Sequence, residues 1–337
     1  NKTVSLYCEK YKTTEKSQSM KSNKVLDAIM GVAIGDAVGV PFEFRSREDM
    51  EENPATDMTG YGTYNQPHGT WSDDSSLTFC LAQSLVQGYD IKDMAEKFIK
   101  WRDEAYWTAH NEVFDIGKTT SIAISRLKRI IKEDHLDELT RQKEQGIPQD
   151  NGNGSLMRII PLLFYVRERP IEEQFDIIWE VSALTHRHIR AAMSCLIYLK
   201  IAEKILEGIN KIEAYNQTRK DISNFWENIG FPVEERKHFN KLIQNDILDT
   251  PKEELLSGGY VIEVLESSIW FFLQTDNYRD SILGIINLGH DTDTSAAITG
   301  GLSGLYYGAD NIPTHWINTI CRRKDIIKLC EDLNQKL

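Results

Sequence analysis

Residues 23–40 read NKVLDAIMGVAIGDAVGV. Leu26, Ile29, Met30, Ala33 and Ala37 recur at the three- and four-residue spacings that line one face of an α-helix. Gly31, Gly35 and Gly39 recur every fourth residue of the same stretch, leaving a smooth stripe where a second backbone can come close. In a lipid bilayer such a stripe suggests dimerisation. Asp27 and Asp36 argue against that setting, so the stripe is expected to serve tight helix packing inside one protein. No apolar run of membrane-spanning length is expected, since the best, 191–199, is bounded by Arg190 and Lys200.

Outward from this helix the pattern stays helical. One helix is expected over 74–87 with Leu77, Cys80, Leu81 and Leu85 inward, and amphipathic stretches follow near 90–105, 115–132 and 172–208. In the last of these Ala192, Cys195, Leu196, Leu199 and Leu206 share a face. Val261, Val264, Leu265, Ile269 and Phe272 mark another helix, and 295–306 one more. Residues 41–71, rich in glycine and proline, read as loop. Strand-like alternation is rare and short, so the class is all-α. Residues 1–22 are polar, lack an apolar period and read as a flexible or partner-binding arm. Residues 23–337 then form a single domain, with the charged stretch 209–256 as a variable helical insertion.

The bulk composition narrows the function. The chain of 337 residues is 41% hydrophobic and 27% charged, as a globular protein is, and its formal net charge is −12. No basic run is interleaved with aromatics, so neither nucleic acid nor a membrane is expected as partner. Cys8, Cys80, Cys195, Cys321 and Cys330 are odd in number and scattered, without disulfide or zinc spacing, which fits a reducing cytoplasm.

Two acidic clusters carry the chemistry. In GTWSDDSS, Ser72 is a good N-cap, and Asp73 and Asp74 suit the positive end of a helix dipole; capping alone would explain either. GHDTDTSAAITGG repeats the arrangement with Asp291, Asp293 and the hydroxyl of Thr294 ahead of an apolar helix. Four carboxylates in two such starts are hard to motivate as caps, and they supply hard oxygen ligands for one or two magnesium ions at a site expected to face solvent. His290-Asp291 also resembles the His-Asp pair of metal-dependent phosphohydrolases. The further histidines that family needs are missing, because His186 and His188, two apart, would point to different helix faces.

GVAIGDAVGVPFEF, TWSDDSS, NGNGSLMR, SALTH and NLGHDTDTSAAITGGLSGLYYG occur in the order seen in ADP-ribosylglycohydrolases, and the resemblance covers roughly residues 24–318. It implies a compact, multi-helix all-α fold around a central cleft with two magnesium ions, replaceable by manganese. Carried over residue by residue, it makes Ser72, Asp73, Asp74, Asp291, Asp293 and Thr294 metal ligands. Ser72 stands where many members carry threonine and keeps the hydroxyl. Glu43 matches a glutamate that gates the metals or moves a proton; without the resemblance it reads as an exposed loop carboxylate. Asn151, Gly152, Asn153, Gly154 and Ser155 match a loop that cradles the diphosphate, where glycines let backbone amides approach phosphate. His186 matches a histidine lining the ribose and phosphate side of the cleft, against the plainer reading of a packed core histidine. Met157 and Arg158 are read as structural.

The resemblance implies hydrolysis of an ADP-ribose glycosidic bond on a modified protein side chain, most simply arginine, with Asp74 or Glu43 completing proton transfer. Serine-linked or free ADP-ribose derivatives are the alternative substrates, and a non-enzymatic, crystallin-like relative is the alternative outside catalysis. Bacterial members can act as immunity proteins against ADP-ribosyltransferase toxins. A cognate transferase is therefore a candidate partner of the arm, through Tyr7 and Tyr11, against the plainer and favoured reading of a disordered tail.

Overall fold

The Asn23 side chain accepts a hydrogen bond from the Leu26 amide (2.8 Å) and starts the first long helix. A computed structural model describes residues 23–337, so the arm at 1–22, with Tyr7, Tyr11 and Cys8, lies outside the described residues. Eleven helices of nine residues or more follow one another among them. They are α1 (Lys24–Gly39), α2 (Asp73–Leu85), α3 (Ile91–Glu104), α4 (Lys118–Lys132), α5 (Ile171–Ala183), α6 (Ile189–Leu206), α7 (Lys211–Ile229), α8 (Val261–Gln274), α9 (Tyr278–Ile286), α10 (Thr292–Tyr307) and α11 (Arg323–Asn334). Short helical turns join them, and no strand occurs among the described residues, so the fold is all-α.

The glycine stripe of α1 faces α10. A Cβ on Gly31 would stand 2.2 Å from the Gly300 carbonyl oxygen, one on Gly35 would stand 2.1 Å from that of Ala296, and one on Gly39 would stand 2.5 Å from the Asp293 Cα. As the α1 numbers rise, the α10 numbers fall, so the two helices run antiparallel, backbone against backbone. Gly300 and Gly304 complete the seam from the other side, where added Cβ atoms would stand 2.2 Å from the Gly31 oxygen and 2.3 Å from the Asp27 oxygen. Hydroxyl groups hold α1 in place: Thr292 of α10 donates to the Gly39 carbonyl (2.8 Å), and Tyr278 of α9 to that of Gly31 (2.6 Å).

The stretch Lys24–Phe42 is 19 residues long with mean hydropathy 1.7, which corrects the expectation that no apolar run reaches membrane-spanning length. From Val25 to Phe42 it is buried inside the protein, as the core helix of a glycine-packed bundle must be.

Most other expectations about helices hold within about three residues; those expected from 115 and 295 begin at Lys118 and Thr292. The stretch read as 172–208 breaks at residues 184–188, where the His188 side chain accepts from the Arg190 amide (3.2 Å) and opens α6. Periodicity runs through that break because both helices present apolar faces to the same core. In the segment 209–256, α7 and the turns after it bury Phe225, Trp226, Phe231, Phe239, Leu242 and Ile247, with Trp226 stacked on Phe231 at 5.5 Å.

Gly35→Ala is expected to lower the unfolding free energy by about 1–3 kcal/mol or more, since its methyl group meets a backbone carbonyl that cannot move aside. Gly259→Ala meets nothing within 4 Å and is the control. Its effect should stay within about 0.5 kcal/mol in denaturant titrations.

Candidate metal centre

The seam between α1 and α10 delivers Asp36 and Asp293 to one place, and the start of α2 supplies Asp74. Carboxylate oxygens of these three lie within 4.8 Å of one another, and so do those of Glu43, Asp291 and Asp293. Asp293 belongs to both groups. The two acidic helix starts read from the sequence therefore converge, and Glu43 joins them from the turn after α1.

Hydroxyl groups brace the cluster. Ser72 Oγ donates to Asp74 Oδ2 (2.8 Å), and Thr294 Oγ1 reaches the same oxygen at 3.3 Å, which links the starts of α2 and α10. Asp293 Oδ1 accepts from the Thr294 amide (2.9 Å). From the loop side, Asn153 Nδ2 donates to Asp291 Oδ2 (2.6 Å).

Asp36 was not singled out from sequence as a site residue. It is fully buried and accepts from the Ser72 amide (2.9 Å), the Ser75 amide (3.0 Å) and the Ser75 hydroxyl (2.5 Å). A carboxylate of α1 thus caps the N-terminus of α2 and holds Ser72, Asp73 and Asp74 in position. An acidic residue on a glycine-striped apolar helix was the available signal. Asp115 and Tyr64 were missed as well. Tyr64 sits against Glu43 and Asp115, and Asp115 touches Asp73. Residue 115 looked like the start of a helix that in fact begins at Lys118, so nothing local marked it.

The expectation of a site facing solvent is corrected: Asp74 is 0% and Asp293 1% exposed. Burial pushes the carboxyls of Asp73, Asp74 and Asp293 well above the usual range, and neighbouring acids add to it: Asp115 beside Asp73, Asp36 beside Asp74 and Glu43 beside Asp293. Burial also raises Asp36 to about 6, and burial with the Asp115 charge raises Glu43 to about 8. Asp74 Oδ1, Asp293 Oδ2 and Glu43 Oε2 are buried without a hydrogen-bond partner. Three orphaned carboxylate oxygens in one acidic pocket are costly unless a cation meets them. The all-oxygen donor set suits a hard divalent ion.

The residues 151–155 form the adjoining wall. Asn153 is pinned by its amide to the Gly259 carbonyl (3.1 Å), while the Asn151 carboxamide is buried with neither polar atom partnered. Ser155 turns inward and accepts from Ser182 (2.8 Å). His186 is 2% exposed beneath the loop, and its imidazole lies where side chains on Gly152 and Gly154 would be, at 3.0 and 2.6 Å from the missing Cβ positions. Burial, and then Arg158, push His186 down to about 3, so it is neutral. Arg158 is buried, donates to the Gly154 carbonyl and to that of Val181 (3.2 Å), and supports the loop from below, as its structural reading implied. A separate groove of about 190 Å³ lies at the far end of α2, beside Leu85 and Leu333, away from every acid named here.

The sequence profile of the ADP-ribosylglycohydrolase family matches residues 17–337. The chain belongs to the ADP-ribosylglycohydrolase family. It is 30% identical over 320 residues to an ADP-ribosylarginine hydrolase Tri1 of Serratia proteamaculans, covering 94% of this chain and 80% of that one. It is 23% identical to the ADP-ribosyl-[dinitrogen reductase] glycohydrolase of Rhodospirillum rubrum, over 88% of this chain and 90% of the relative. A solved ADP-ribosylglycohydrolase-related protein complex superposes with a TM-score of 0.74 at 25% identity, covering 93% of this chain and 97% of its counterpart. The protein is accordingly a hydrolase of this family, and its acidic groups suit the metal such enzymes use.

The raised carboxyl pKa values carry a stability consequence. Unfolded carboxyls titrate near ~4, so these buried acids favour the fold fully only below that pH. Their contribution is lost as pH rises through about 6 for Asp36 and about 8 for Glu43. Protein held in chelator should therefore melt progressively lower from pH 5 to pH 8.5. A saturating divalent cation should flatten that decline in thermal melts, and a flat profile in chelator would show that the acids are not crowded.

Proposed function

We propose that the protein hydrolyses the bond joining ADP-ribose to arginine side chains of modified proteins, using magnesium. The observation that carries this reading is the trio of buried, unpartnered oxygens on Asp74, Asp293 and Glu43, set beside the Asn153 loop. Ser72, Asp73, Asp74, Asp291, Asp293 and Thr294 would hold two magnesium ions, with manganese as a substitute, and Asp36 holds the start of α2 in place. Bound there, the metal supplies Lewis acidity, offsetting the carboxylate charge and making water a better nucleophile.

The residues 151–155 receive the diphosphate and ribose, while His186, packed where side chains on Gly152 and Gly154 would be, holds the loop from beneath. Asp74 Oδ2 already accepts from two hydroxyls, which makes it a positioning carboxylate. Glu43, with a free Oε2, takes the proton from the attacking water. The C1″–N bond breaks as the C1″–O bond forms, and the departing guanidine takes up the proton that Glu43 removed from water, so that it leaves as guanidinium and Glu43 is returned to its starting state. Arginine linkage is favoured over serine by the relatives named for ADP-ribosylarginine and by Asp115, a second carboxylate at the edge where a cationic leaving group would sit. The setting is a cytoplasm, and the partner of the 1–22 arm is a cognate ADP-ribosyltransferase. Deleting residues 1–22 is expected to abolish transferase binding in pull-downs and spare hydrolysis; unchanged binding would remove that part of the proposal.

Asp74→Asn and Asp293→Asn should each lower turnover of ADP-ribosyl-arginine by at least about a hundredfold, the scale at which essential groups act. Each variant also removes one uncompensated buried charge, so in chelator its melting temperature should match or exceed that of the parent. Magnesium at about 100 times its Kd should stabilise the parent by roughly 2.7 kcal/mol and the variants far less. Turnover near the parental rate in either variant would refute the metal assignment.

A further inference from the structure

Three neighbouring aromatic side chains adjoin the acidic site through Glu43 and Asp115, and the mechanism uses none of them. Phe44 directly follows Glu43 and is 71% exposed, the most exposed of the large apolar side chains. Its φ is 65°, a conformation that bulky residues adopt rarely and at a cost in strain. The backbone is held there on both sides: the Phe44 amide donates to the His290 carbonyl (2.7 Å), the His290 amide to that of Arg45 (2.7 Å), and Thr63 Oγ1 to that of Glu43 (2.6 Å). A braced, strained loop thus holds a phenyl ring out in water beside a carboxylate.

The ring has company. The Phe44 and Tyr64 centroids are 6.3 Å apart, and those of Tyr64 and Phe114 5.1 Å apart, both pairs tilted. Phe114 precedes Asp115, and Tyr64 sits against Glu43 and Asp115, so the aromatic surface is interleaved with carboxylates. Aromatic faces attract cations, and nearby negative charge adds to the attraction. Elsewhere in the molecule such faces are already used: Arg45 lies over Phe42 at 5.4 Å and Arg322 over Trp107 at 4.7 Å. Among the described residues no lysine or arginine lies over Phe44, Tyr64 or Phe114. The loop suited to the diphosphate reaches the acidic cluster through Asn153 and Asp291, whereas the aromatics reach it through Glu43 and Asp115.

We propose that Phe44, Tyr64 and Phe114 form the surface that receives the guanidinium end of the substrate, its planar face on the rings and its charge beside Glu43 and Asp115. This rests on the reading that arginine is the modified side chain. Arginine fits such a surface better than lysine or serine because its cation is flat, delocalised and weakly hydrated.

The test uses the full chain and Phe44, whose side chain is exposed enough that replacing it should leave the melting temperature unchanged. Phe44→Ala should lower kcat/KM on ADP-ribosyl-arginine by about 3- to 30-fold, the range of a cation–ring contact, chiefly through KM. Phe44→Leu, which keeps apolar area without a ring, should be equally impaired, and Phe44→Trp should restore activity. Calorimetric binding of free ADP-ribose, which lacks the leaving group, should be unchanged in all three. Parental kcat/KM in Phe44→Ala or Phe44→Leu would overturn the proposal. So would a matching loss of ADP-ribose affinity, which would place the adenine on these rings. If the parent cleaves only serine-linked ADP-ribose, the arginine reading and this inference fall together; if it cleaves the arginine linkage and Phe44→Ala is unimpaired, only this inference falls.

Discussion

Where α1 crosses α10 there is no room for a Cβ: at Gly31, Gly35, Gly39, Gly300 and Gly304 the opposing backbone lies closer than a methyl group permits. That approach draws two helices together without intervening side chains, so their polar termini come to lie side by side. The C-terminal half of α1 brings Asp36 to the first turn of α10, and the turn after α1 adds Glu43. Any side chain wedged into the seam would spread these acids and change the donor set. The glycines therefore set the geometry of the acidic cluster, and the rest of the bundle packs around the fixed pair.

The same closeness creates an electrostatic problem. Carboxylates within 4.8 Å of one another and buried cannot all ionise cheaply, and three of their oxygens find no donor in the protein. Part of the charge is managed internally, since Asp36 takes two backbone amides and a hydroxyl and Asp291 takes Asn153. The remainder is left for a cation. A fold that is least comfortable without its metal gains affinity for it, because binding relieves repulsion as well as forming bonds. Function and local instability have one origin here.

Around that centre the protein divides its labour between packed and exposed groups. Neutral His186 and the buried Arg158 support the glycine loop from beneath, so the loop has a rigid base on the side away from the cleft. On the opposite edge, Phe44 is strained and exposed. A rigid cradle suits the part of the substrate that every ADP-ribosylated molecule shares, and an open aromatic edge suits the part that varies.

The sequence by itself determined the helical class, because 3.6-residue periodicity is a local property, and it marked the glycine stripe as a packing surface. It also located Ser72 to Asp74 and Asp291 to Thr294 as acidic helix starts, since caps and dipoles act within one turn. What only the tertiary structure decided was which of these meet. Asp36 looked like a lone charge on an apolar helix until α2 was seen to begin on it, and Asp115 had no local mark at all. The burial of Asp74 and Asp293 was likewise hidden, because paired acids in a first helical turn look the same whether they face water or another helix. Convergence of groups up to 257 residues apart, from Asp36 to Asp293, depends on how backbones approach in space. A one-dimensional pattern records such an approach only indirectly, here as glycines that leave room for it.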